Sequence, residues 1–308
     1  MRSAFRVVAR GLIAAVFLGL MLVGLQAGSA TRGTASATPT PGPQPTPEQV
    51  TVGVYVQNVQ AVDLSTNSFS ADFYIWLRWR NPDIDAPAGV EVQNVFENWA
   101  LTKTEVYPEP RKQPDGSLVW LGRYQGNFNS PLSVSDYPFQ SQTLRFVFEE
   151  AILNVDQLVY VPDKDPITVN PDITLAGYNF GKPSIALDSH TYPTSFGDVE
   201  SAPHDRTYTR VVVEIPVTSP VTSGIFKTIL PLLIVLIAAA LGVIIPASYV
   251  DSKVNVPITA LIALVAMQFG VSSALPEVGY LPMIDLIYLL AYTAVTAMLG
   301  SAVIGAWR

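Results

Sequence analysis

Between residues 50 and 218 apolar and polar positions alternate. In FSADFYIWLRWR, Phe69, Ala71, Phe73, Ile75, Leu77 and Trp79 are apolar, while Ser70, Asp72, Tyr74, Trp76, Arg78 and Arg80 are polar or amphipathic. A period of two sends these sets to opposite faces of a strand. The alternation returns at Leu118, Trp120, Gly122, Tyr124, Gly126 and Phe128, at Leu144, Phe146 and Phe148, and at Val211, Val213, Ile215 and Val217. Turn signals separate the runs: NPD at 81, PDG at 114 and PDK at 162. Strands with one buried and one wet face, broken by frequent turns, predict an antiparallel, immunoglobulin-like β-sandwich over 50–219.

From Thr228 the pattern changes. Thr228–Val250, Val254–Pro276 and Leu286–Trp307 are charge-free runs of 23, 23 and 22 residues. At about 1.5 Å per residue each can cross a hydrocarbon layer of about 30 Å. They predict a transmembrane domain over 220–308, with helices at about 225–247, 254–276 and 282–307. The fold expected is therefore an all-β outer domain on an α-helical membrane bundle.

The second helix carries a pattern of its own. With Asp251 at 0° and about 100° per residue, Asn255, Thr259, Ile262, Ala266, Phe269 and Ser273 fall within an arc of about 80°. Ala260, Met267 and Val271 lie opposite; Gln268, Ser272 and Lys253 lie off the stripe. Lipid cannot satisfy such polar groups, so they should face a cavity or protein. Several copies around an axis would enclose water, stacking a carboxylate ring, polar rings and an apolar constriction. The alternatives are local: Asp251 and Ser252 as helix caps with Pro257 in the first turn, and Asn255 and Thr259 as interhelical glue.

Composition narrows the function. The 308 residues are 49% hydrophobic and only 14% charged, as in a chain partly in lipid. There is no cysteine, so disulfides and thiolate chemistry are excluded, and His190 and His204 are the only histidines. A formal charge of −7 argues against nucleic acid. Arg2, Arg6 and Arg10 precede an apolar run from Leu12 to Leu25 and the small residues AGSA, which reads as a signal peptide over 1–30, or else an uncleaved anchor. Residues 31–49, rich in Thr and Pro, read as a disordered tether. Neither G-x-S-x-G, a phosphate-binding glycine loop nor H-E-x-x-H occurs, so no enzyme class is indicated.

Five segments together resemble the prokaryotic pentameric ligand-gated ion channels, relatives of the Cys-loop receptors. DFYIWLRWRNPD at 72–83 is similar to the family's second strand, and SVSDYPFQSQTLRF at 133–146 to its signature loop in cysteine-free form. KTILPLLIV at 227–235 is similar to the start of the first membrane helix, and SALPEVGYLPMIDLIYLLAY at 273–292 to the approach and start of the third. Asp251–Pro276 matches the pore helix.

The resemblance implies a homopentamer in the bacterial inner membrane, its N-terminal domain outside the cytoplasm, passing monovalent cations. Asp251 would form the selectivity ring, Asn255 and Thr259 the lower polar rings, Ile262, Ala266 and Phe269 the gate, and Ser273 the outer mouth. Coupling would run through Leu64–Asn67, Tyr137, Pro138, Phe139, Gln140, Ser219, Pro276 and Tyr280. An unidentified small-molecule or ionic agonist would sit at subunit interfaces, near Tyr192 and Phe196 of one copy and Tyr74 or Trp76 of the next. No cofactor or fixed metal site is expected, although the acidic outer domain leaves modulatory calcium open.

Three departures from the family accompany this likeness. The fourth membrane helix is not in the sequence. Gln140 and Ser219 stand where relatives pair an aspartate with an arginine. Leu264 stands where some relatives carry a histidine. A non-conducting, membrane-anchored sensor with the same outer domain is the alternative function.

Overall fold

The computed structural model describes residues 46–199 and 203–306. The expected leader over 1–30 and most of the tether over 31–49 lie outside them. Strands form where the alternation predicts. In chain order they are β1 Glu48–Asp63, β2 Ser68–Trp79, β3 Val90–Val92, β4 Thr102–Glu105, β5 Arg111–Lys112, β6 Leu118–Asn129, β7 Ser141–Glu150, β8 Leu158–Val169, β9 Asn179–Phe180, β10 Ser184–Thr191 and β11 Thr207–Thr218. One sheet runs β4-β6-β2-β1-β8 with β5 beside β6; the other runs β10-β11-β7-β3 with β9 beside β11.

The inward positions are those the period marked. Phe69, Phe73, Ile75, Leu77 and Trp79 meet Trp120, Tyr124 and Phe128 from their own sheet, and Leu144, Phe146, Phe148, Val211, Val213, Ile215 and Val217 from the other; all are buried. The aromatic rings interlock, with Phe73 and Phe146 centroids 4.5 Å apart. Such interdigitation holds two sheets at a fixed spacing.

Two expectations about the sandwich need correction. β8 runs parallel to β1, so the fold is not wholly antiparallel. The PDK at 162 is no turn but lies within β8, where the pairing slips between Val52 and Val54. Pro162 has no N–H to give a ladder, and an edge-strand irregularity is where such a residue is tolerated. The opposite sheet's edge is finished by a side chain. Beyond the short β3, Asn94 Oδ1 accepts the Val147 N–H at 2.9 Å and Nδ2 donates to the Arg145 carbonyl at 2.6 Å.

Three helices are long and apolar enough to cross a membrane: α1 Val221–Ile244, α2 Val250–Ser272 and α3 Met283–Gly305, the last continuing to Ala306. Each of the first two starts and stops several residues before the charge-free run did. Lys227, Asp251 and Lys253 all sit inside helices, so charge does not mark the boundaries. Backbone chemistry does: Pro220 precedes α1, and Ile245, forced extended by the following Pro246, ends it. Ile225–Ile229 forms a π turn just before Pro231, whose missing N–H breaks the regular ladder.

The bundle core is Leu232 and Ala239 of α1, Ala260 and Leu264 of α2, and Ile284, Tyr288, Ala291 and Val295 of α3. At Gly242 of α1 the helices approach so closely that an added Cβ would lie 2.8 Å from Val256 Cγ1. Gln268 points at α3, where its Oε1 accepts the Tyr292 hydroxyl at 2.7 Å. That bond accounts for one polar residue off the stripe.

Candidate functional site

On α2 the helical wheel becomes a division between covered and uncovered faces. Pro257, Ala260 and Leu264 are buried against α1 and α3. Asp251, Asn255, Thr259, Ile262, Ala266, Phe269 and Ser273 are all exposed, with Ile262 at 67% and Phe269 at 77%. Ser252, Ile258, Val265 and Ser272 are exposed on the flanks of the same arc. A single chain therefore leaves the whole stripe unpartnered.

The local alternatives fare differently. Tyr249 occupies the N-cap of α2 and no side-chain capping bond forms there; Asp251 lies in the first turn, where a carboxylate complements the helix dipole. Pro257 lies inside the helix rather than in its first turn. Thr259 Oγ1 donates to the Asn255 carbonyl of its own helix at 2.9 Å, and Ser273 Oγ to the Gly270 carbonyl at 3.0 Å. Neither hydroxyl reaches α1 or α3. Lys253 points away from the stripe, its Nζ near Gly305 of α3.

The junction between sandwich and helices is built from the 131–140 loop. Val134 N–H donates to Tyr280 Oη at 3.2 Å, and Met283 N–H donates to the Ser135 carbonyl at 2.8 Å. Tyr137 packs on the helical core, and the Tyr137–Pro138 peptide is cis. Phe139 and the Pro138 carbonyl lie over Gly224, where an added Cβ would stand 2.9 Å and 3.0 Å from them. Ser219 N–H donates to the Gln140 carbonyl at 3.1 Å, so these two positions are neighbours. Gln140 is buried; its Nε2 donates to Tyr178 Oη at 3.2 Å, while its Oε1 has no partner. Pro276 is half-buried and makes none of these polar links. Asn67, at the end of the Leu64–Asn67 turn, and Tyr280 line one cleft of about 780 Å³ with Arg145.

The four aromatics expected at a ligand site separate into two groups. Tyr192 meets His190 at 4.7 Å, Phe196 at 5.3 Å and Tyr208 at 5.9 Å between ring centroids. Its hydroxyl donates to Glu149 Oε1 at 2.7 Å, and Arg210 pairs with the same carboxylate at 2.7 Å. Burial, then the anionic acceptor, push the Tyr192 phenol up to about 12. Phe196 is largely exposed, at a positive φ of 51°. Tyr74 and Trp76 belong to the other sheet and make no ring contact with this cluster. Trp76 lies flat over Gly53, and its indole N–H donates to Asp163 Oδ2 at 2.8 Å. Tyr74 lies beside Arg123, which forks onto Asp72 through Nε and Nη2. Within one chain the two groups do not come together.

Sequence reasoning missed Glu149, Arg210 and Arg123. Each sits on an outward position of a strand, and only strand pairing brings partners 61 and 51 residues apart together. Among the described residues, no group of three or more His, Asp or Glu side chains is arranged to hold a metal ion.

No family profile matches the chain. Among curated proteins it is similar to the proton-gated ion channel of Gloeobacter violaceus, with 23% identity over 264 residues, 80% of this chain and 70% of that one. The likeness read from the five segments is borne out by this relative, which is a channel and not an enzyme.

Proposed function

We propose that the chain is one subunit of a homopentameric, cation-selective, ligand-gated ion channel of the bacterial plasma membrane. One observation carries this reading. Seven aligned residues of α2 and its C-cap, polar at both ends and apolar between, are left bare by their own chain while the opposite face is buried. Five such helices around an axis give an Asp251 ring that attracts cations and an Ile262–Phe269 constriction that dries when closed. The alternatives that needed no ring have no hydrogen bond behind them on the stripe: no side-chain cap forms on α2, and the Thr259 hydroxyl bonds only its own helix.

Gating runs through the 131–140 loop. Its bonds to Tyr280 and Met283 and its packing on Gly224 tie the sandwich to the starts of α1 and α3. A ligand that favours one sandwich orientation shifts the closed–open equilibrium by its difference in affinity for the two. Tyr192 and Phe196, meeting Tyr74 of the next copy, form the agonist site; Trp76 supports it from its anchored position over Gly53.

The test is current through planar bilayers containing purified protein under a salt gradient. Proton is the first agonist to try, because the Gloeobacter relative is proton-gated. A reversal potential moving toward that of the cation supports the reading. A folded, ring-forming protein silent across ligands and pH would be the non-conducting sensor instead.

A further inference from the structure

Two successive carboxylates end β7 and face opposite ways. Glu149 points outward beneath Tyr192; Glu150 points into the rim of the sandwich core, and each is 1% exposed. Glu150 Oε1 accepts the N–H groups of Ile152 at 3.0 Å and Leu153 at 3.1 Å, and Oε2 accepts the Tyr160 hydroxyl at 3.4 Å. Gly89 is pressed against it: an added Cβ would fall 1.7 Å from Oε1.

The titratable groups around Glu150 are Asp85 from the loop before β3, Tyr160 from β8 and, behind it, Tyr124 from β6. None is a cation, and Glu149 spends its charge on Arg210 across the strand. Burial is the largest influence on Glu150 and favours its neutral form; the three donors offset only part of that, so its proton affinity stands above an ordinary glutamate's.

The segment pinned by this carboxylate leads to the ligand cluster. Val155 N–H donates to the Thr207 carbonyl at 2.9 Å, where β11 begins beside Tyr208. Tyr160 N–H donates to Thr209 Oγ1 at 3.1 Å, two residues further on. We propose that Glu150 is a proton-binding site whose protonation holds residues 151–157 closed and whose ionisation releases them, resetting, through Val155 and Thr207, the β10–β11 hairpin that carries the aromatic cluster. The buried carboxyl holds its proton more tightly than an opened, wetted one would, so proton uptake favours the closed segment and loss of the proton favours its opening. The effect on ligand response rests on the channel reading; the proton site itself does not.

The test uses full-length protein in nanodiscs, following hydrogen-exchange protection at the Ile152 and Leu153 amides. From about pH 8 down to about pH 5, protection should rise about tenfold in the wild type and change less than about twofold in Glu150→Gln. Tyr160→Phe removes a donor to the charged form, so its midpoint should move to higher pH. Protection in the wild type that is flat or falls on acidification, an equal response in Glu150→Gln, or a Tyr160→Phe midpoint that stays put or moves lower would each overturn the site. Currents recorded from the same preparations separate the two ideas. Protein that never conducts yet shows the exchange response retains the proton site and loses the channel; conducting protein with no such response does the reverse.

Discussion

At the scale of single residues, the proposed selectivity rests on Asp251, the only carboxylate of α2, left exposed in the first turn. Asp251→Asn should lower the cation-to-anion permeability ratio about tenfold, read from reversal potentials, because each ring position loses its direct charge attraction. Glu149→Ala should act differently. It leaves Arg210 facing an empty, nearly buried place, so it should destabilise the hairpin by about 3–5 kcal/mol and blunt ligand response without altering permeability. The seven stripe residues were legible because helical period alone assigns a face. Glu150 was legible too, had the inward register of Leu144, Phe146 and Phe148 been carried one step further. Glu149 with Arg210, and Asp72 with Arg123, were not, because a pairing across strands is invisible to local period. Glu150 also ties stability to pH. Folding raises its proton affinity, so its contribution is complete at acid pH and is lost as pH climbs through the raised value. Glu150→Gln should therefore flatten the acid side of the wild type's melting-temperature profile.

At the scale of elements, a period of two identified the strands and long charge-free runs the helices, but charge misplaced helix ends. Lys227, Asp251 and Lys253 are accommodated within helices, while prolines set the breaks. Pro162 misled in the opposite sense, reading as a turn and sitting in a strand slip. Two substitutions test how the elements meet. Gly224→Ala forces Phe139 or the Pro138 carbonyl to retreat by a few tenths of an ångström, so agonist concentration–response curves should move to higher concentration with permeability unchanged. Tyr292→Phe removes the hydroxyl bonded to Gln268 and should cost about 0.6–1.7 kcal/mol of bundle stability, measured by unfolding in detergent.

At the scale of the whole molecule, the sandwich and the three apolar helices followed from pattern alone, while the path between them did not. That path is made of backbone bonds from Ser135, Val134 and Gln140, whose partners lie far along the chain. Ser219→Arg alone puts a guanidinium beside the buried Gln140 with no anion to meet, and Gln140→Asp alone buries a lone carboxylate. Each should reduce the yield of folded assembly, and the double substitution should recover much of it, scored by size-exclusion of the oligomer. Electron imaging of that oligomer should show five-fold rings with Asp251 facing the axis; copies whose stripes face one another in pairs would refute the pore. The Asn94 carboxamide adds a consequence for how copies meet. By standing in for an absent strand, it leaves the rim of β7 with fewer free groups to recruit a stray peptide. Association by sheet fusion, the route toward fibrils, is thereby disfavoured at this edge.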